Sequence, residues 1–126
     1  MTRQSISSTD APAALGPYSQ AIAAGDLVFC SGQVGIDPVT GDLADGVADQ
    51  AERALRNLSA VLDAAGCTFA DVVKTTVFLA DIGDFATVNE TYARFMPDPP
   101  PARSTFAVGA LPKGARIEIE AIAVRR

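Results

Sequence analysis

From residue 45 onward, Val47, Ala51, Ala54, Leu55, Leu58, Val61, Leu62 and Ala65 recur at spacings of three and four, the repeat of a long amphipathic helix with one buried stripe. Asp45 reads as its N-cap and Gly66 as the C′ residue that ends it. The next run, "VVKTTVFLA" at 72 to 80, is β-branched and predicts a mostly buried strand. A second helix follows, with Asp84 as cap and Phe85, Val88, Tyr92, Phe95 and Met96 on one stripe. Nearer the start, "YSQAIAAGDLVFCSGQ" at 18 to 33 predicts two strands around a Gly25-Asp26 turn, which leaves Ser31, Gly32 and Gln33 at a strand end. After the stiff connection "MPDPPPA" at 96 to 102 come a strand from about Arg103 to Gly109, a turn at "LPKGA", and a last strand, "RIEIEAIAV".

The predicted order is ββαβαββ, an α+β chain whose two helices cover one face of a sheet. The last strand sets Ile117, Ile119, Ala121 and Ala123 on one face and Glu118, Glu120, Ile122 and Val124 on the other. A second face that mixes apolar and charged positions calls for cover from another subunit, so an oligomer is expected.

With 126 residues, 48% of them apolar, the chain suits a single domain over residues 1 to 126. A net charge of -5 repels a phosphate backbone, which argues against nucleic acid as partner. Cys30 and Cys67 have no metal-like spacing and fit a reducing cytoplasm, where they pack as small apolar residues. The first residues, "MTRQSISSTDAPAALG", contain no apolar run of signal length, and no later segment reaches membrane-spanning length. The expectation is an unexported cytoplasmic protein with no membrane partner. The absence of histidine removes Ser-His-Asp and Cys-His nucleophiles and most transition-metal sites. No phosphate-binding glycine loop is present either.

Chemistry therefore falls to a few residues. Arg103 heads an otherwise apolar strand, and a guanidinium is a permanent flat fork of donors matched to a carboxylate. Its plain alternative is an ion pair with Glu118 or Glu120. Glu118 lies between two isoleucines, where desolvation would raise its pKa toward a range useful to a general base or acid. Glu120 shares its face, and pattern alone does not choose between them. A simple hairpin centred on Lys113 would place Glu118 opposite about Val108, roughly 17 Å along the strand from Arg103, so a shared site would need the wider fold or a second subunit. Tyr18 follows a Gly-Pro turn and could line a pocket; Asn89 is an amide on the apolar stripe between Phe85 and Tyr92; Ser31 and Thr105 can bind a ligand or simply pack.

With "APAALGPYSQA", "SGQ", "DVVKTTVFLADIGDFATVNETYARF" and above all "PARSTFAVGALPKGARIEIEAIAV", the chain resembles the reactive intermediate/imine deaminase (RidA) family, also known as the YjgF or L-PSP endoribonuclease-like family. The resemblance covers nearly the whole sequence. It implies a chorismate-mutase-like fold assembled as a homotrimer, with the open sheet face buried centrally and clefts between subunits. It also implies hydrolysis of reactive 2-imino acids or enamines, such as 2-iminobutanoate and 2-iminopropanoate/2-aminoacrylate, to 2-keto acids and ammonia, without cofactor or metal, downstream of pyridoxal-phosphate enzymes. On this resemblance Arg103 binds the substrate carboxylate, Glu118 activates water, Tyr18, Ser31 and Asn89 line the pocket, and Gly32 and Thr105 contribute main-chain groups. Thr105 stands where many deaminase members have cysteine, which excludes thiol chemistry there. The competing readings are a non-catalytic module for small carboxylates or keto acids and, more remotely, an endoribonuclease or translation inhibitor.

Overall fold

The computed structural model describes residues 2 to 126; Met1, the first residue of the N-terminal stretch, lies outside it. Six strands and two helices follow in the order β1 (Arg3–Ile6), β2 (Ala21–Ala24), β3 (Leu27–Val34), α1 (Val47–Ala64), β4 (Val72–Leu79), α2 (Phe85–Ala93), β5 (Ala102–Ala107) and β6 (Ile117–Val124). They form one sheet in the order β1-β2-β3-β6-β4-β5. All pairings are antiparallel except β4 with β5, which run parallel.

The helices and five of the strands lie where the hydrophobic pattern puts them. β1 was not foreseen, because "RQSI" is short and polar and acquires its ladder only by pairing with β2 at the sheet edge. β5 and β6 do not pair as a simple hairpin about Lys113. β4 inserts between β5 and β6, and Lys113 instead sits at φ 57° in a short turn. The β4 to β5 crossover through α2 accounts for the change, since a strand–helix–strand unit delivers a parallel neighbour.

α1 carries the core. Leu55, Leu58, Val61 and Leu62 are wholly buried against the sheet, each contributing about 1.5–3 kcal/mol of apolar burial. The helix begins one residue later than the pattern suggested: Gly46, at φ 78°, is the N-cap, and Asp45 lies outside. Its end is as expected. Gly66 takes φ 79°, and the Cys67 and Gly66 amides donate to the Leu62 and Asp63 carbonyls, a Schellman closure. On β6, Ile117, Ile119, Ala121 and Ala123 are buried beneath the helices, as the alternation requires. The opposite face is open, and carries Phe29 and Phe106 at 42% and 46% exposure among half-buried Ile22, Phe78, Ile122 and Val124.

Two buried amides tie α1 to the strand ends that bear the candidate site. Asn57 donates to the carbonyls of Val34 and Ile36, at 3.1 and 2.8 Å, where the chain leaves β3. Gln50 accepts from the Arg116 amide at 2.8 Å and donates to the Ala44 carbonyl, which fixes the start of β6. Both satisfy backbone groups that burial would otherwise strand.

Candidate active site

The Ser31–Gly32 stretch is where β3 breaks register. Cys30 pairs with Ala121 and Gln33 with Ile119, so two residues of β3 oppose Glu120 alone. This bulge keeps both Cys30 and Gln33 on the buried face and brings Ser31 and Gly32 beside Glu118 on the open one. Gly32 is needed there for room: a Cβ would fall 2.7 Å from Glu118 Cδ. The Ser31 hydroxyl donates to the Ser19 carbonyl at 2.6 Å, and its oxygen keeps the capacity to accept.

Glu118 is half-buried, with Phe78 of β4 and Val34 of β3 as its register neighbours. Desolvation, and secondarily the charge of Glu120, raises its pKa above the usual carboxylate value. Glu118 and Glu120, with Tyr18, Ser31, Gly32 and Ile36, line a cleft of about 700 Å³. Tyr18 is half exposed and precedes β2, so it is neither an ordinary buried tyrosine nor a strand residue.

Arg103 is elsewhere. It pairs in register with Thr75, which is level with Ala121 on the helix side of the sheet. There its guanidinium donates to Asn89 Oδ1 at 2.7 Å and lies 4.9 Å from the ring centre of Tyr92 and 5.6 Å from that of Phe85. Among the described residues no carboxylate pairs with it, so the ion pair with Glu118 or Glu120 is not made. Asn89 is therefore brought to Arg103, and Tyr18, Ser31 and Gly32 to Glu118.

Thr105 joins the Arg103 group. β5 is an edge strand, and because the Val108 amide donates to Leu79 of β4, the alternation of the ladder turns the Thr105 amide to the free edge. Its hydroxyl oxygen is buried without a partner. Asp84 stands at the α2 N-cap as predicted, but its carboxylate is taken by Arg116 at 2.9 Å rather than by the helix amides. Sequence reasoning passed over the aromatic platform under Arg103. The signal was there: an amide at i+4 flanked by aromatics at i and i+7, Phe85, Asn89 and Tyr92, all on one helix face.

Cys30 and Cys67 are buried free thiols, and burial pushes Cys30 up to about 12. No group of three or more His, Cys, Asp or Glu among the described residues is placed to hold a metal ion, and no helix is long and apolar enough to cross a membrane.

A helix-covered sheet with a desolvated carboxylate in a cleft and an unpaired guanidinium at its edge has the makings of a small-carboxylate site. Comparison with known proteins places the chain in a family: it belongs to the Endoribonuclease L-PSP family, whose model matches residues 8–125. The mouse protein 2-iminobutanoate/2-iminopropanoate deaminase is 55% identical to it over 98% of this chain and 92% of its own. Among solved structures, RidA from an Antarctic Psychrobacter superimposes with a TM-score of 0.94 at 46% identity, covering 96% of this chain and 98% of that one. The E. coli TdcF structure with bound serine gives 0.93 at 44%, covering 98% and 99%.

Proposed function

We propose that the protein is a hydrolytic deaminase converting reactive 2-imino acids, such as 2-iminobutanoate and 2-iminopropanoate, and their enamine tautomers, to 2-keto acids and ammonia. One observation carries this reading: among the described residues no carboxylate pairs with the Arg103 fork, while a carboxylate with raised pKa waits in a cleft. The names of relatives more than half identical over almost the whole chain support it, as does bound serine, a small amino acid, in TdcF.

Arg103 and the Thr105 amide hold the substrate carboxylate, with Asn89 steadying the guanidinium. Glu118 orients a water and takes its proton as the oxygen adds to the C=N carbon; the nitrogen is protonated, and the carbinolamine collapses to the keto acid and ammonia. Tyr18, Ser31 and main-chain groups of Gly32 shape the pocket. Imines hydrolyse readily, so positioning and one carboxylate, worth roughly 10² to 10⁴-fold in the proton transfer, are enough without a cofactor.

Arg103 and Glu118 face opposite sides of one sheet, so the complete site lies between chains. A homotrimer, formed by the single domain of residues 1 to 126, closes it and covers Phe29, Phe106 and their neighbours on the open face. The compartment is the cytoplasm, with pyridoxal-phosphate enzymes as the source of imines. To test this, threonine is converted in situ to 2-iminobutanoate by a pyridoxal-phosphate dehydratase, and keto acid formation is followed against semicarbazide trapping. Faster keto acid release that disappears with Arg103→Ala and falls strongly with Glu118→Ala is expected. Full rate in Glu118→Ala with binding lost in Arg103→Ala would leave only a carboxylate-binding module.

A further inference from the structure

We propose that Thr75 and Tyr92 are positioning residues that hold the Arg103 fork in its ligand-ready direction, a role that rests on the reading of Arg103 as carboxylate anchor. Thr75 is completely buried on the helix face of β4, in a row otherwise continued by Val77 and Leu79. Its hydroxyl is spent on one contact, a 2.6 Å hydrogen bond with Tyr92 Oη across the β4–α2 interface. Tyr92 is itself 6% exposed, and its ring centre lies 4.9 Å from the Arg103 guanidinium carbon. Thr75 is also the register partner of Arg103 on the neighbouring strand.

The ring is thus held at both ends, by its own helix and by the strand beside Arg103. Valine would fill the space of Thr75 with an apolar side chain, and phenylalanine would keep the ring of Tyr92. What the two hydroxyls add is orientation, because a ring tethered at Oη cannot tilt away from the cation stacked on it. Asn89, one turn before Tyr92 on the same helix face, receives Nη1 and sets the rotation of the guanidinium about that stack. An arginine has many rotamers to lose when a ligand binds. One ordered beforehand loses fewer, so the clamp strengthens carboxylate binding without touching the ligand.

The test uses the unaltered protein with Thr75→Val, Thr75→Ser, Tyr92→Phe and the double variant Thr75→Val/Tyr92→Phe. Binding of 2-oxobutanoate is measured by calorimetry, 2-iminobutanoate hydrolysis gives kcat and KM, and the Arg103 Nε–H resonance is followed by NMR. Thr75→Val and Tyr92→Phe should each weaken binding and raise KM about fivefold, the worth of one buried hydrogen bond, with kcat changed less than about twofold. The double variant should be no worse than either single one, since both remove the same bond. Thr75→Ser should restore affinity, and the ring-shifted Arg103 resonance should move only in the impaired variants. If melting temperatures fall while 2-oxobutanoate affinity and the Arg103 resonance stay put, the pair is core packing and the proposal is overturned. Arg103→Ala separates the two ideas. If it binds 2-oxobutanoate normally, the anchor reading fails and takes the clamp with it; if it does not bind while Thr75→Val and Tyr92→Phe bind normally, the clamp alone fails.

Discussion

Arg103 and Glu118 stand on opposite faces of one sheet, two strands apart and three residues out of level, with Thr75 and Phe78 of β4 marking their respective heights. Within one chain they therefore point away from each other. If neighbouring chains complete the site, Arg103→Ala and Glu118→Ala are complementary lesions: mixed chains form some clefts with both residues intact. Co-refolding the two inactive variants in equal amounts should restore about a quarter of the normal activity, as random assembly dictates for a cleft shared by two chains. No recovery in oligomers verified as mixed would place both residues in a site supplied by one chain.

If Glu118 is the base, as proposed, its raised pKa sets the acid limb of the rate. A base works only when ionised, so kcat/KM should rise with pH through a midpoint above the ordinary carboxylate range and then level off. Glu120→Gln removes the neighbouring charge that adds to the desolvation, and should move that midpoint downward. A pH–rate profile of the two proteins checks both the position and the direction.

The same shift has a cost in stability, and its sign is opposite to that of an ion-paired carboxylate. Between the ordinary carboxylate pKa and the raised folded one, the folded chain holds a proton that the unfolded chain has released, so stability falls as pH rises through that window. Glu118→Gln should therefore raise the melting temperature at neutral pH and lose the advantage once the pH drops below the ordinary carboxylate range. Activity should fall roughly 10² to 10⁴-fold in the same variant. Thermal melts at pH 3.5 and 7.5 decide the first point; an unchanged or lower melting temperature at pH 7.5 would mean that the carboxylate is stabilised by the fold.

Gly32→Ala tests the fit between the bulge and the carboxylate. The added Cβ would overlap the end of Glu118, which can swing away because it is the far end of a flexible side chain. Turnover should drop at least about tenfold through misplacement of the base, while the melting temperature changes little. Parallel kinetics and melting curves give the answer.

Cys30, whose thiol pKa burial pushes up to about 12 and which is only 6% exposed, should resist alkylation by iodoacetamide in the native protein and react fully in guanidinium. Mass spectrometry after timed labelling measures this. Rapid native labelling would reveal an opening of β3 that the packed structure does not contain.

Local pattern determined a good deal of this protein by itself. The three-and-four spacing from Val47 to Ala65, the closing Gly66, and the alternation of Ile117, Ile119, Ala121 and Ala123 specify α1 and the buried face of β6, because these are choices that each segment makes with its nearest neighbours. Pattern did not choose between Glu118 and Glu120; Arg103 and Glu118 were singled out by the family resemblance that the Pro-Ala-Arg-Ser and Ile-Glu-Ile runs carry. Strand order was another matter. Whether β5 meets β6 or β4 depends on which long-range pairing buries more surface and which hand the α2 crossover takes, and neither is written in the residues around Lys113. That one choice carried Arg103 to the helix side, onto Tyr92 and away from Glu118. The bulge at Ser31–Gly32 was hidden for the same reason, since an extra residue in β3 exists only relative to the register of β6. Composition and spacing offered candidate groups and the resemblance chose among them; the pairing of distant strands decided which of them face one another.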